Sequence, residues 1–306
     1  MLYDRLFPRW DPPSHLRPES RDASGSALSI SWLGTAGHVL SSATTTVLID
    51  PYVTRSRLTA LATRRLGQDD EAIARWIPRR VDAVLCGHSH FDHLLDAPRI
   101  ALLRSARIVG SRSTAAFARA AGVPEARIDV VPAEGRTLQI GDLEIQFVPS
   151  KHGRIVLGRV PFPGEVTATP RVPARMWHYR MGGAFGVFVR AKAVSVYHNG
   201  SADLVDAELE GLRADVLIAG LAGRRGTRDY VGRLARSLQP RLVIPTHHDA
   251  FFAPLEQGLR LLPGIDVSGF VDDVRDAWPH ARVLATGYGD RLAVDEAARD
   301  AVVTAS

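Results

Sequence analysis

The chain has 306 residues, and 45% of them are hydrophobic, which is enough apolar material for a large buried core. A disordered or fibrous protein is therefore excluded. The formal net charge is +5, yet the only lysines are Lys151 and Lys192, so 36 of the 38 basic residues are arginines. These arginines are spread along every segment, which is typical of a compositional bias and not of a nucleic-acid-binding patch.

Cysteine usage and the first residues indicate a location for the protein. Cys86 is the only cysteine, which excludes an internal disulfide and favours a reducing compartment. Charges and prolines interrupt the amino terminus, so it lacks the apolar region of a signal peptide. No apolar run approaches the roughly 18 residues of a membrane span. We therefore expect a cytoplasmic protein without a membrane span.

From residue 28 onwards, β-prone runs alternate with segments of helical character, and this alternation favours the α/β class. Residues 1–27 contain four prolines and are predicted to form a surface arm, followed by a single domain over 28–306. Strands are predicted at 28–33, 46–50, 81–85, 107–109, 128–131, 137–140, 143–148, 186–190, 194–197, 215–219 and 242–244. Helices are predicted at 54–77, 92–103, 114–121, 204–212, 229–238, 254–262 and 271–278. Residues 153–183, rich in proline and aromatic side chains, have no convincing period and are predicted to be an ordered insertion.

Three histidines and one aspartate follow the predicted strand at 81–85 within six residues. They are His88, His90, Asp92 and His93. Imidazole and carboxylate are ligands that zinc, iron and manganese share, and a loop can aim the first two side chains at one ion and the last two at a neighbouring ion. This spacing at the end of an apolar strand indicates a metal site.

The string resembles the signature of the metallo-β-lactamase superfamily, whose members are hydrolases with a four-layer αββα sandwich of two mixed β-sheets and outer helices. The opening Trp32-Leu-Gly-Thr-Ala-Gly37 is most similar to the lactonase-like and phospholipase-D-like branch. Matching features run from about residue 28 to about residue 252. The resemblance implies one ion held by His88, His90 and His152, and a second held by Asp92, His93 and His247.

The resemblance also implies supporting roles for residues near the ligands. Asp203 takes the part of the carboxylate that bridges the two ions, although it could instead cap the following helix. Asp50 lies where the family has a strand-end aspartate behind the ligands. His248 is adjacent to His247 and either contacts substrate or is structural. His198 is either a supporting or substrate-contacting residue, or a structural histidine.

These assignments imply a binuclear metal-dependent hydrolase that uses a metal-bound hydroxide, with Asp92 orienting the water or passing on its proton. The cofactors are two divalent ions, zinc first and manganese or iron as alternatives. The arginines and aromatic residues of the insertion suit an ester, lactone or phosphodiester of a small or lipid-like substrate. One alternative is a nuclease of the same superfamily, although no cluster of basic residues favours a nucleic-acid partner. Another is a non-catalytic metal-binding protein on this fold, which should have lost ligands.

Overall fold

Two β-sheets form the centre of the molecule in the computed structural model, which describes residues 2–18, 27–155, 157–192, 194–294 and 302–304. In chain order the strands of these residues are β1 (Leu28–Trp32), β2 (His38–Ser41), β3 (Thr46–Ile49), β4 (Ala83–Leu85), β5 (Arg107–Gly110), β6 (Ile128–Val130), β7 (Arg136–Ile140), β8 (Leu143–Pro149), β9 (Phe185–Ala191), β10 (Val194–Asn199), β11 (Val216–Gly220), β12 (Leu242–Thr246), β13 (Arg282–Val283), β14 (Arg291–Val294) and β15 (Val302–Thr304). All the predicted strands are present, and β2 and the last three are additional.

Both sheets are mixed, and they are built on the same scheme. The first has the order β15-β14-β1-β2-β3-β4-β5-β6 and the second the order β13-β12-β11-β10-β9-β8-β7. In the first sheet the pairs up to β2–β3 are antiparallel, and those from β3–β4 to β5–β6 are parallel. In the second sheet β7 to β10 pair antiparallel, and β10 to β13 pair parallel.

Helices cover the outer faces of both sheets. The α-helices of the described residues are α1 (Leu2–Leu6), α2 (Leu58–Thr63), α3 (Asp70–Trp76), α4 (Phe91–Leu94), α5 (Ala97–Leu103), α6 (Arg112–Ala120), α7 (Tyr230–Leu238) and α8 (Val267–Ala277). One apolar cluster joins the inner faces of the two sheets, a second joins the first sheet to α2–α6, and a third joins the second sheet to α7 and α8. The expected four-layer αββα sandwich of two mixed sheets is confirmed.

Four helix predictions need correction. The segments 54–77 and 92–103 each contain two short helices, and α3 starts anew because the Asp69 side chain accepts hydrogen bonds from the backbone N–H groups of Glu71 and Ala72. The segments 204–212 and 254–262 contain only the 3-10 turns Asp206–Leu209 and Leu255–Gln257. The second turn ends at Gly258, whose φ of 80° cannot continue a right-handed helix.

The segment before β1 packs on the body of the molecule. Phe7 and Leu16 are buried, and the backbone N–H of Trp10 donates to the carbonyl of Leu259. The Ala285 N–H in turn donates to the carbonyl of Leu16. Within the described residues, no helix has the length and apolar character to cross a membrane.

Candidate metal centre

The loop after β4 is held rigidly from two sides. β4 is completely buried, and the next residues turn sharply as the Gly87 N–H donates to Asp50 Oδ1 at 2.7 Å. On the other side, the Ser89 N–H donates to the carbonyl of Met181 at 2.9 Å. α4 begins immediately afterwards at Phe91, so Asp92 and His93 lie in its first turn. The short distance between strand and helix brings the whole motif to one edge of the sandwich.

A first donor group consists of His88, His90 and His152, each offering a nitrogen within 4.8 Å of the others. His90 Nε2 donates to the carbonyl of Pro161 at 2.9 Å, which leaves its Nδ1 without a proton and 3.0 Å from His88 Nε2. His152 Nδ1 donates to the carbonyl of Gly153, which leaves its Nε2 available. Burial lowers the pKa of His90 to about 4 and that of His152 to about 3. Both rings are therefore neutral near pH 7, the form that binds metal ions.

A second donor group consists of Asp92, His93 and His247. Asp92 Oδ2 lies 3.2 Å from His247 Nε2 and 3.7 Å from His93 Nε2. Burial raises the pKa of Asp92, but His93 and His247 outweigh it and hold the pKa well below its usual range. Burial lowers the pKa of His93, but Asp50 and Asp92 outweigh it, and the net shift is upward.

Asp50 supports both the loop and the second group, and with His88 and His93 it forms a third donor group that overlaps the other two. Its Oδ2 accepts a hydrogen bond of 2.8 Å from His93 Nδ1, while its Oδ1 accepts the Gly87 N–H. This fixes the tautomer of His93 and directs Nε2 toward Asp92, as carboxylates behind metal-binding histidines commonly do. Five buried imidazoles and one buried carboxylate form a donor set that fits zinc, iron or manganese.

Comparison with known families identifies the family of the chain. The family model described as "Beta-lactamase superfamily domain" matches residues 29–247, well over half of the chain. The chain belongs to the metallo-β-lactamase superfamily. Among its relatives, a UPF0173 metal-dependent hydrolase of Opitutus terrae is 30% identical over 226 residues, which cover 72% of this chain and 85% of the relative. The protein is thus a metal-dependent hydrolase of this superfamily.

Solved structures show the same superfamily fold. The metallo hydrolase Igni18 of Ignicoccus hospitalis superposes with a TM-score of 0.56 at 17% identity, covering 86% of this chain and 97% of its own. CmlA, a diiron β-hydroxylase from Streptomyces venezuelae, superposes with a TM-score of 0.55 at 16% identity, covering 93% of this chain and 55% of its own. At this identity the likeness extends to the fold alone.

The structure does not bring the superfamily's expected bridging carboxylate to the centre. Asp203 belongs to none of the donor groups found among the described residues. Its Oδ1 accepts the N–H of the adjacent Leu204 at 2.8 Å, and the following 3-10 turn begins after Val205 without a side-chain cap, so the alternative role as a helix cap is also wrong. Ser201 lies in the turn after β10, and its hydroxyl donates to the carbonyl of Lys151. The geometry therefore offers no support for a bridge formed by Asp203.

Among the described residues, His198 and His248 belong to none of the donor groups. His198 Nε2 is 2.8 Å from the carbonyl oxygen of Ala36. His248 is completely buried and stacks on Trp32 with ring centroids 4.6 Å apart. Burial lowers the pKa of His248 to about 4, so it is a neutral, packed ring at pH 7. Both histidines thus have structural contacts, and the adjacent His247 alone turns toward Asp92.

Sequence reasoning missed a buried ion pair next to the donor groups. Arg55 and Asp249 both have side chains of 0% exposure, with Arg55 Nη1 2.7 Å from Asp249 Oδ2. Asp249 Oδ1 also accepts the Thr35 N–H, and the carbonyl of Thr35 accepts the His247 N–H. The pair therefore connects through Thr35 to a proposed ligand. Arg55 and Asp249 carry no motif, so only their shared contacts reveal them.

Four of the eleven non-glycine residues with positive φ in the described part of the chain lie at the donor groups or at the ion pair. Thr35, Asp50, Arg55 and His247 all have left-handed backbone angles, with φ between 47° and 54°. Non-glycine residues adopt this conformation at a cost of order 1–3 kcal/mol each, so surrounding contacts must hold them in place. Such clusters of strain are characteristic of functional sites.

Proposed function

We propose that the protein hydrolyses an ester, lactone or phosphodiester of a small or lipid-like molecule with the help of two divalent ions. Zinc is the first choice, and manganese or iron suit the same donors. The observation that carries the proposal is the pair of three-donor groups at one end of a cavity of about 440 Å³. His90, Asp92, His152 and His247 line that cavity, so a substrate inside it meets both groups.

In this proposal His88, His90 and His152 hold one ion, while Asp92, His93 and His247 hold the other. When bound, the ions supply Lewis acidity and lower the pKa of water to about 7. Asp92 is ionised at neutral pH, so it can orient the attacking water or take up its proton. Water adds to the carbonyl carbon or to phosphorus, and the bond to the leaving oxygen breaks. The products are an acid and an alcohol, or a single hydroxy acid when the substrate is a lactone.

The alternatives have less support. A nuclease needs unpaired cations to bind phosphates, yet many surface arginines already pair with carboxylates. Such pairs are Arg99–Asp70, Arg119–Glu125, Arg190–Glu144 and Arg233–Asp206. A non-catalytic metal-binding protein is disfavoured because both donor groups are complete and open into a cavity.

The proposal is tested by elemental analysis together with a panel of lactones, aryl esters and phosphodiesters. We expect close to two metal equivalents per chain and turnover of at least one substrate class. His90→Ala should lose metal and reduce kcat/KM by at least about a hundredfold, because it removes a ligand and not merely a residue behind one. His280→Ala, an exposed histidine, is the matched control. Full activity of His90→Ala, or wild-type protein without metal, would contradict the proposal.

A further inference from the structure

The cavity next to the donor groups has a predominantly apolar wall. Its side chains include Phe91, Phe162, Phe251, Phe252, Leu262 and Ile265. Phe251 packs at 5.4 Å from the His247 ring, centroid to centroid, so the apolar wall begins directly at the donor groups. A volume of about 440 Å³ falls within the range typical of small-molecule sites. The wall therefore favours a substrate with a sizeable apolar portion.

Three arginines lie at the rim of this cavity, and they differ in their partners. Arg224 pairs with Asp273, and Arg225 Nη2 lies 3.6 Å from Asp266 Oδ2. Arg154 is exposed, and in the described part of the chain no carboxylate lies within salt-bridge distance of it. Arg154 is thus the rim cation whose charge is available to a ligand.

Backbone contacts fix the position of Arg154. The Gly153 N–H donates to the carbonyl of Ser201 at 2.7 Å. A Cβ on Gly153 would lie 3.0 Å from the carbonyl oxygen of Gly223, and a Cβ on Gly226 would lie 2.7 Å from that of Arg154. The two segments therefore touch through their backbones, which only glycine permits. Because Gly153 follows His152 directly, Arg154 is placed within two residues of a donor group.

We propose that the cavity binds an amphiphilic anion, with its apolar chain or ring against the phenylalanine wall and its carboxylate or phosphate paired with Arg154. The inference rests on the proposed hydrolysis and names its substrate class: an ester, lactone or phosphodiester that carries both an apolar group and a negative charge. An apolar wall beside one unpaired guanidinium discriminates against neutral lipids and against small hydrophilic anions.

Binding of inert ligands tests this without requiring turnover. Octyl phosphate, nonanoate and 1-octanol are titrated calorimetrically into the protein with its metal complement, in a buffer without phosphate. We expect both anions to bind at least about tenfold more tightly than 1-octanol. From butyl to octyl phosphate, each added CH₂ should raise the affinity about fourfold, as expected for methylene burial. Nonanoate compared with octyl phosphate identifies which anionic group the site prefers.

The Arg154→Gln variant isolates the cation. It should weaken octyl phosphate binding about tenfold and remove most of its salt dependence, whereas Arg171→Gln, an exposed arginine of the same segment away from the cavity, should bind like wild type. Equal affinity of 1-octanol and octyl phosphate, absence of a chain-length effect, or identical behaviour of the two variants would overturn the inference. If the binding pattern holds and no panel substrate is hydrolysed, the proposed function fails, and the cavity is a binding site for amphiphilic anions that are not its substrates. If the protein hydrolyses only neutral or hydrophilic substrates, the proposed function stands and the inference about an amphiphilic anion fails.

Discussion

Arg55 and Asp249 illustrate how single residues position a donor group without belonging to it. Burial lowers the pKa of Arg55, but Asp249 outweighs it and the net shift is upward. Tyr288 adds a hydrogen bond of 2.8 Å from its hydroxyl to Asp249 Oδ2. A Cβ on Gly34 would lie 1.6 Å from Arg55 Nη2, so the Leu33–Gly37 turn closes tightly over the guanidinium. The ion pair therefore fixes the turn that holds the His247 backbone.

Neutralising one partner of this pair should be costly. We expect Asp249→Asn to lower the free energy of unfolding by about 3–5 kcal/mol, because it leaves the Arg55 charge buried without compensation. The measurement is denaturant unfolding. Glu144→Gln breaks the exposed pair with Arg190 and should cost at most about 1 kcal/mol. The double variant Arg55→Met with Asp249→Asn should regain part of the loss, and a double variant less stable than Asp249→Asn would contradict the explanation.

Some of the site residues could be predicted from the sequence and others could not. His88, His90, Asp92 and His93 are close in the chain, so their convergence follows from one loop. Arg55 and Asp249 are ordinary charged residues far apart in sequence, and only the fold makes them partners. The expectation for Asp203 placed an acid near the right strand end, but a hydrogen bond to the neighbouring Leu204 N–H holds its carboxylate. Local bonds of this kind leave no sequence signal.

At the scale of elements, segment 153–183 contacts the loop that carries the donor histidines. Tyr179 is 2% exposed and stacks on Phe117 of α6, with ring centroids 4.3 Å apart. Two residues later, the carbonyl of Met181 accepts the Ser89 N–H, and the carbonyl of Pro161 holds His90. The insertion thus anchors in the core behind α6 and reaches back to a donor histidine. The hydrogen bond between His90 and the carbonyl of Pro161 could not be predicted from the sequence, because the two residues lie far apart in the chain.

Removing the buried Tyr179 ring should weaken metal binding, although Tyr179 does not belong to a donor group. We expect Tyr179→Ala to lower the free energy of unfolding by about 3 kcal/mol through loss of a buried ring, and to speed the release of metal to a chelator. Denaturant unfolding and chelator competition measure the two effects. Trp177→Ala, in the 3-10 turn that ends directly before Tyr179 and 40% exposed, is the matched control and should change stability by less than about 1 kcal/mol. Unchanged metal release in Tyr179→Ala would show that the insertion does not support His90.

At the scale of the whole molecule, the donor groups span both sheets. His88 to His93 follow β4 of the first sheet, whereas His152 follows β8 and His247 follows β12 of the second. The αββα sandwich could be predicted because apolar strand runs and the motif resemblance agree. The short strand β2 was missed because its four residues begin with histidine and end with serine, which weakens the apolar pattern.

Because each proposed ion joins residues of both sheets, metal binding should stabilise the sandwich as a whole. At a free metal concentration about a thousandfold above Kd, binding to the native state alone adds about 4 kcal/mol to the free energy of unfolding. We therefore expect metal removal to lower the Tm by several degrees, and metal return to restore it, in scanning calorimetry. His152→Ala and His247→Ala should each lose part of this shift, since each removes the second-sheet donor of one group, while His280→Ala should retain all of it. An identical Tm for metal-free and metal-loaded wild-type protein, with binding verified by elemental analysis, would show that the ions do not join the sheets.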